Sequence, residues 1–82
     1  MDIAVEISLY PLDAEFVPPI KEFIDRLQAH QRLKVVTNSM STQVFGAYED
    51  VFSALTRELR VDFQRDRKAV FVLKVLGPFA PA

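Results

Sequence analysis

Along residues 3–10, apolar and polar side chains alternate with a period of two. The apolar positions are Ile3, Val5, Ile7 and Leu9. Because successive side chains of an extended chain point to opposite sides, this segment predicts a β-strand with one apolar face. Pro11 ends it, since proline cannot donate to a ladder. Residues 33–37 and 40–45 predict two further strands, joined at Asn38-Ser39 as a hairpin because Asn tolerates the left-handed turn conformation.

Two other segments follow a helical period. After Pro18-Pro19, a pair that suits the first turn of a helix, apolar residues recur three and four positions apart and predict a helix over 19–30. Residues 47–64 predict a second helix. The apolar stripes expected in the core are Ile20, Phe23, Ile24, Leu27, Phe52, Leu55 and Leu59. Residues 69–76 predict a last strand that is apolar on both faces except at Lys74, and we therefore expect it to be central or covered on both sides.

The resulting order is strand, helix, strand, strand, helix, strand. Right-handed crossovers place both helices on one face of a four-stranded antiparallel sheet, which is the α+β ferredoxin-like sandwich with strands one and three in the centre. We expect a single domain over residues 1–77 and a C-terminal tail over 78–82. The second face of the sheet stays open, and the alternation assigns to it Glu6, Ser8, Tyr10, Ser41, Gln43 and Phe45.

Composition adds expectations about partners. Half of the 82 residues are hydrophobic and seven are Phe, a high apolar load for so small an interior, so a partner subunit is expected to cover part of the surface. Ten Lys and Arg against eleven Asp and Glu leave no basic excess, so neither nucleic acid nor an anionic membrane is an expected partner. No secretory leader pattern and no apolar run of about 20 residues is visible, and a cytoplasmic location is the default expectation.

Residues suited to catalysis are few. The chain has no Cys, one His and two Gly, which argues against thiolate or multi-His metal sites and phosphate-cradling loops. His30 is interpreted as a surface residue favoured by the end of the first helix. Glu6 is interpreted as solvated or paired with Lys74 across the sheet, with a counter-charge for a cationic ligand as the alternative. We therefore predict no enzymatic activity, no catalytic residues, no metal and no cofactor.

The open face offers groups for a flat, polar ligand. Tyr10 and Phe45 could stack on a ring, since aromatic faces prefer offset stacking. Amides and hydroxyls lie near one end of the central strands, at Ser8, Asn38, Ser41, Thr42 and Gln43. Asn and Gln each carry a donor and an acceptor, as an aminopyrimidine edge requires. From spacing alone, subunit packing explains the aromatics equally well, and turn formation or solvation explains the polar residues better.

Two segments nevertheless resemble a known family. Residues 7–12 (Ile-Ser-Leu-Tyr-Pro-Leu) and 38–46 (Asn-Ser-Met-Ser-Thr-Gln-Val-Phe-Gly) are similar to the YkoF-like thiamine/hydroxymethylpyrimidine-binding family, and the similarity continues through 48–51 and 69–76. The resemblance implies binding of thiamine or its pyrimidine precursor without known catalysis. Larger members of the family carry two such units in one chain, so a single unit implies a homodimer or homotetramer.

Carried over position by position, the family's pocket residues are Ser8, Tyr10, Ser41 and Thr42, with Asn38, Met40 and Gln43 adjacent and Phe45 as a stacking candidate. The predicted pocket lies on the open sheet face or at a subunit interface. One alternative is an oligomeric interaction or regulatory module with no small-molecule ligand. A further alternative is a small oxygenase or isomerase of a hydrophobic substrate, for which His30 or Glu6 would have to serve.

Overall fold

The computed structural model describes residues 1–12, 14–15, 17–65 and 68–78. Its elements are β1 (Asp2–Pro11), α1 (Val17–Gln28), β2 (Lys34–Thr37), β3 (Thr42–Ala47), α2 (Tyr48–Gln64) and β4 (Ala69–Leu76). The strands form one antiparallel sheet in the order β2-β3-β1-β4. The predicted α+β ferredoxin-like sandwich, with strands one and three in the centre, is confirmed. Most of the expected tail, residues 79–82, lies outside the described residues.

The core lies between one face of the sheet and the two helices. Its buried side chains are Ile3, Val5, Ile7 and Val44 from the sheet, Phe23 and Leu27 from α1, and Val51 and Leu55 from α2. The β1 members are the alternating set that the sequence predicts to face the core. Complete burial of one such side chain stabilises a fold by about 1.5–3 kcal/mol, so this layer fixes β1 and β3 relative to the helices.

The expectation that the last strand is central or covered on both sides is wrong. In the described residues β4 pairs with β1 alone, so it is an edge strand. Its side chains opposite Ser8, Tyr10 and Ala4 lie on the open face, and this apolar set consists of Val70, Val72 and Leu76. These three side chains are exposed, and so are Leu73 and Val75, which lie opposite Ile7 and Val5 on the helix-facing side. The apolar pattern of β4 therefore marks a surface that a single chain leaves bare.

The buried face of α2 also differs from the predicted apolar stripe. Phe52 and Leu59 are only half-buried, whereas two carboxylates, Glu58 and Asp62, are buried. Periodicity alone assigns acidic residues to the solvent face. Their burial here is explained by partners on α1.

A cluster of charged side chains joins the two helices. Arg26 Nε lies 2.9 Å from Glu58 Oε1, and Arg26 Nη2 lies 2.8 Å from Asp62 Oδ1. His30 Nε2 lies 2.7 Å from Glu58 Oε2, so this histidine is a bonded member of the cluster rather than the surface residue expected from the sequence. Burial by itself raises the pKa of Glu58, but hydrogen bonds and charge from His30 and Arg26 outweigh it and hold that pKa below its ordinary value. We name this set the interhelical cluster.

Candidate functional site

The two strands that flank β1 end at different points. β3 pairs with β1 from Asp2 opposite Ala47 as far as Ile7 opposite Thr42. β4 continues along β1 to Pro11 opposite Ala69. Residues 8–11 of β1 therefore have a strand on one side and a gap on the other. The turn that connects β2 to β3 curls beside this gap.

This arrangement leaves a cavity of about 210 Å³ at the end of the sheet, which we call the cleft. It is lined by residues 7–10 of β1, by Ile20, Phe23 and Ile24 of α1, and by residues 37–42 around the turn. Pockets for drug-sized ligands usually measure roughly 300–1,000 Å³. The cleft therefore has room for one aromatic ring, with any further part of a ligand outside it.

The turn wall of the cleft is held by Asn38. Its Oδ1 accepts hydrogen bonds from the N–H of Met40 at 2.8 Å and of Ser41 at 3.1 Å, while its own N–H donates to the Ser41 carbonyl at 3.1 Å. This is an Asx-type turn, in which an Asn side chain replaces a backbone partner. It lengthens the predicted two-residue hairpin to residues 38–41, so Met40 and Ser41 belong to the turn and β3 begins at Thr42.

Hydroxyl groups occupy the junction of the turn and β3. Thr42 is buried, and its Oγ1 lies 3.0 Å from Oγ1 of Thr37. Ser41 Oγ donates to Glu6 Oε2 at 3.2 Å, and Glu6 Oε1 lies 3.7 Å from Nζ of Lys74. The predicted ion pair between Glu6 and Lys74 is thus present, and a carboxylate stands directly behind one hydroxyl of the cleft.

Six of the eight residues predicted for the site line this one cavity, namely Ser8, Tyr10, Asn38, Met40, Ser41 and Thr42. Gln43 and Phe45 do not; they lie further along β3, opposite Glu6 and Ala4 on the open face. Phe45 there has Nζ of Lys34 at 6.0 Å from its ring centroid. The cleft opens at the sheet end against α1 instead of across the open face, because β1 extends past the start of β3.

Sequence reasoning did not identify the apolar wall of the cleft. Ile20 and Ile24 have helical spacing, which indicates only that they face the sheet, and their position over the gap depends on where β3 begins. Leu9 was predicted only as a member of the apolar face of β1, although it also lines the cleft. In both cases the missing information is the relative length of β1 and β3.

Two further features bear on the kind of site. Among residues 1–12, 14–15, 17–65 and 68–78, no group of three or more His, Cys, Asp or Glu side chains is placed to hold a metal ion. None of the helices described is both long enough and apolar enough to cross a membrane.

The fold places the chain among the ferredoxin-like proteins of βαββαβ order. More narrowly, it belongs to the YKOF-related family, whose model matches residues 2–71. The resemblance found in the sequence is thereby confirmed at the level of the family. A search of curated proteins finds no match to the chain.

Solved structures share the fold. A hypothetical protein from Methanocaldococcus jannascii is 23% identical, with a TM-score of 0.81 over 99% of this chain and 84% of that one. A Streptococcus pneumoniae protein is 21% identical, with a TM-score of 0.84 over 96% and 89%. A Thermotoga maritima protein, named as a candidate thiamine biosynthesis or salvage protein, is 17% identical, with a TM-score of 0.80 over 92% and 82%. The TM-scores establish a common fold with these three proteins.

Proposed function

We propose that this chain binds thiamine or its hydroxymethylpyrimidine precursor in the cleft, without transforming it. The observation that carries the proposal is the cleft itself. In it, the two segments that resemble the thiamine-binding family meet around a cavity the size of one ring. Membership of the YKOF-related family and the name of the Thermotoga maritima neighbour support the same ligand class.

The walls of the cleft match the two sides of such a ligand. Ile20 and Ile24 offer apolar surface to the face of a pyrimidine ring. The hydroxyl oxygens of Ser41 and Thr42, which bond Glu6 and Thr37, can also accept from its edge. A neutral hydrogen bond contributes only about 1 kcal/mol net. Ring contact and shape must therefore provide much of the affinity, as is usual for small-molecule pockets.

The described lining also favours binding over catalysis. It consists of apolar, hydroxyl and amide side chains, with Tyr10 as its one ionisable group. General acid–base catalysis requires a group whose pKa lies near the working pH and which reaches the reacting atom. An oxygenase or isomerase would need His30 or Glu6. His30 is bonded to Glu58 between the helices, Glu6 is bonded to Ser41 and Lys74, and neither lines the cleft.

Thermal shift and titration calorimetry with thiamine, thiamine monophosphate and hydroxymethylpyrimidine test the proposal. A ligand of the native state raises the melting temperature, and at a concentration of 100 times Kd it adds about 2.7 kcal/mol to stability. We expect thiamine or hydroxymethylpyrimidine to give a saturable shift. The absence of both shift and heat with all three compounds would contradict the proposal.

We further propose that the protein assembles as a homodimer or homotetramer through the open face. The supporting observation is the exposed apolar set on that face, Val36, Val70, Val72 and Leu76. Exposed apolar side chains on a sheet face that no helix covers are typical of interaction sites.

Sedimentation of the wild type and of Val72→Lys tests this assembly. We expect the wild type to sediment as an oligomer and the variant as a monomer, since a buried lysine would be strongly unfavourable. Thiamine binding by a monomeric variant would separate assembly from the ligand site, because Val72 does not line the cleft. A wild type that is monomeric at high concentration would contradict the assembly, whereas an oligomer that binds none of the three compounds would favour the interaction module.

A further inference from the structure

We infer that the backbone N–H and C=O of Leu9 recognise the aminopyrimidine edge of the ligand. The N–H donates to a ring nitrogen and the C=O accepts from the exocyclic amine beside it. This inference rests on the proposed function and adds to it a chemical class, a nitrogen heterocycle with an amino group next to a ring nitrogen. It also assigns a specificity role to a residue whose side chain is purely apolar.

The hydrogen-bonding pattern of β1 fixes the direction in which the N–H and C=O of Leu9 point. In an antiparallel ladder, hydrogen-bonded pairs alternate with non-bonded pairs. The β1–β3 register begins with Asp2 opposite Ala47, and its extension by one residue places Met1 opposite Tyr48, whose N–H donates to the Met1 carbonyl at 2.9 Å. Odd-numbered residues of β1 therefore direct their N–H and C=O toward β3.

The hydrogen bonding between β1 and β4 indicates the same alternation independently. The β1–β4 register ends with Pro11 opposite Ala69, and its extension by one residue places Leu12 opposite Lys68; the Leu12 N–H donates to the Lys68 carbonyl at 3.0 Å. Even-numbered residues thus bond toward β4. Leu9 is odd-numbered, so its N–H and C=O point to the β3 side.

On the β3 side, the backbone of Leu9 lies beyond the end of the ladder. The ladder with β3 ends at Ile7 opposite Thr42, so the residue in register with Leu9 is Met40. Met40 belongs to the turn, and its N–H already donates to Asn38 Oδ1 at 2.8 Å. The Asx turn therefore engages the Met40 N–H, which would otherwise have continued the ladder with Leu9. The N–H and C=O of Leu9 face the cleft that Leu9 lines.

The N–H and C=O of Leu9 are complementary to the edge of a 4-aminopyrimidine. A residue in a bonded antiparallel position presents a donor and an acceptor side by side. A 4-aminopyrimidine presents the complementary pair, an acceptor ring nitrogen next to a donor amine, as the adenine edge does. A 4-oxo analogue bound in the same orientation would place its ring N–H against the Leu9 N–H and its carbonyl against the Leu9 carbonyl. Turning the ring over would restore both bonds but would reverse the direction of the substituent at C5.

A pair of thiamine analogues tests the inference by calorimetry on the full chain. Pyrithiamine keeps the aminopyrimidine and replaces the second ring, whereas oxythiamine replaces the amine with an oxo group. We expect pyrithiamine to bind within threefold of thiamine and oxythiamine to bind at least tenfold more weakly. Equal affinity for oxythiamine and thiamine would overturn the inference while leaving the proposed function intact.

Amide hydrogen exchange followed by NMR gives a second, residue-specific readout. With saturating thiamine, the Leu9 amide should exchange at least tenfold more slowly relative to the amide of Ile7, which already faces β3 inside the ladder and serves as the internal control. Binding of thiamine with no relative protection of Leu9 would overturn the inference alone. A failure of thiamine and hydroxymethylpyrimidine to bind at all would overturn the proposed function, and the inference with it.

Discussion

Polar groups border the same hydrophobic core in two regions, and the two regions differ in what completes their hydrogen bonds. In the interhelical cluster, the C-terminal halves of α1 and α2 bring opposite charges together, and Arg26 bonds both Glu58 and Asp62. In the cleft, beside the first half of α1, the backbone of Leu9 borders a cavity, and the hydroxyl of Thr42, which bonds Thr37, keeps further hydrogen-bonding capacity there. Polar groups that bond each other hold the fold together, whereas polar groups that face a cavity are available to a ligand.

The largest expected effect comes from removing the cation of the interhelical cluster. Arg26→Met removes the cation that bonds both buried carboxylates and leaves Glu58 with His30 alone; breaking a buried ion pair from one side costs about 3 kcal/mol or more. Urea denaturation measures the loss. At a temperature where the variant remains folded, its affinity for thiamine should stay within a factor of two of the wild type.

The matched control for that variant is Arg65→Met. Arg65 pairs with Glu22 at 3.1 Å on the surface, where each side chain is nearly half exposed. Exposed pairs of this kind contribute less than about 1 kcal/mol. Equal losses of stability in the two variants would show that the interhelical cluster is no more important to the fold than a surface pair.

Acid should weaken the interhelical cluster next. Because the pKa of Glu58 is lowered in the folded protein, the unfolded chain binds a proton more readily. The stability that this group contributes is complete above the unfolded pKa, near 4.5, and is lost as the pH falls through the folded pKa. Glu58→Gln should therefore flatten the decline of unfolding free energy below pH 5. Equal slopes of unfolding free energy against pH for the wild type and Glu58→Gln would contradict this. The control is Glu49→Gln, which changes an exposed residue in the first turn of α2.

A smaller effect, on binding instead of stability, is expected at the cleft. Thr42→Val keeps the shape of the side chain and removes the hydroxyl, so thiamine affinity should fall by about tenfold or less, corresponding to one hydrogen bond of about 1 kcal/mol. Calorimetry measures the change. Thr56→Val, at an exposed position of α2 that does not line the cleft, should bind as the wild type does. An unchanged affinity in Thr42→Val would remove Thr42 from the site.

The smallest effect is expected at the open-face ion pair. Lys74 lies 3.7 Å from Glu6 and its side chain is 80% exposed, so Lys74→Met should change the unfolding free energy by less than about 1 kcal/mol. Affinity for thiamine should change less than twofold, since Lys74 does not line the cleft. A loss of stability comparable to that of Arg26→Met would remove the distinction between buried and exposed charges on which the comparison depends.

Most of the fold could be predicted from periodicity, because the core residues of β1 recur at every second position and those of α1 at every third or fourth. The buried face of α2 could not, because Glu58 and Asp62 are buried against Arg26, which lies 32 and 36 residues away, and Glu58 also against His30. The exposure of β4 was missed for a related reason. An apolar strand has the same sequence whether a helix layer or a second chain covers it.

The candidate site was predictable only where its residues adjoin in sequence. Ser8, Tyr10 and the turn at Asn38 lie in two short segments that resemble the family, and the structure brings them together. Leu9 and the α1 wall depend on β1 extending past β3, a difference in length that one strand alone does not reveal. The expected cytoplasmic location and the absence of catalysis, metal and cofactor remain predictions.

The central claim is that the cleft, and no other part of the sheet, receives thiamine. Mapping amide chemical shifts during a thiamine titration tests it most directly. We predict saturable shifts at Ser8, Ser41 and Thr42, with the amides of Arg26 and Glu58 unmoved. Shifts confined to Val70 and Val72 on the open face, or no shifts at saturating thiamine, would contradict the claim.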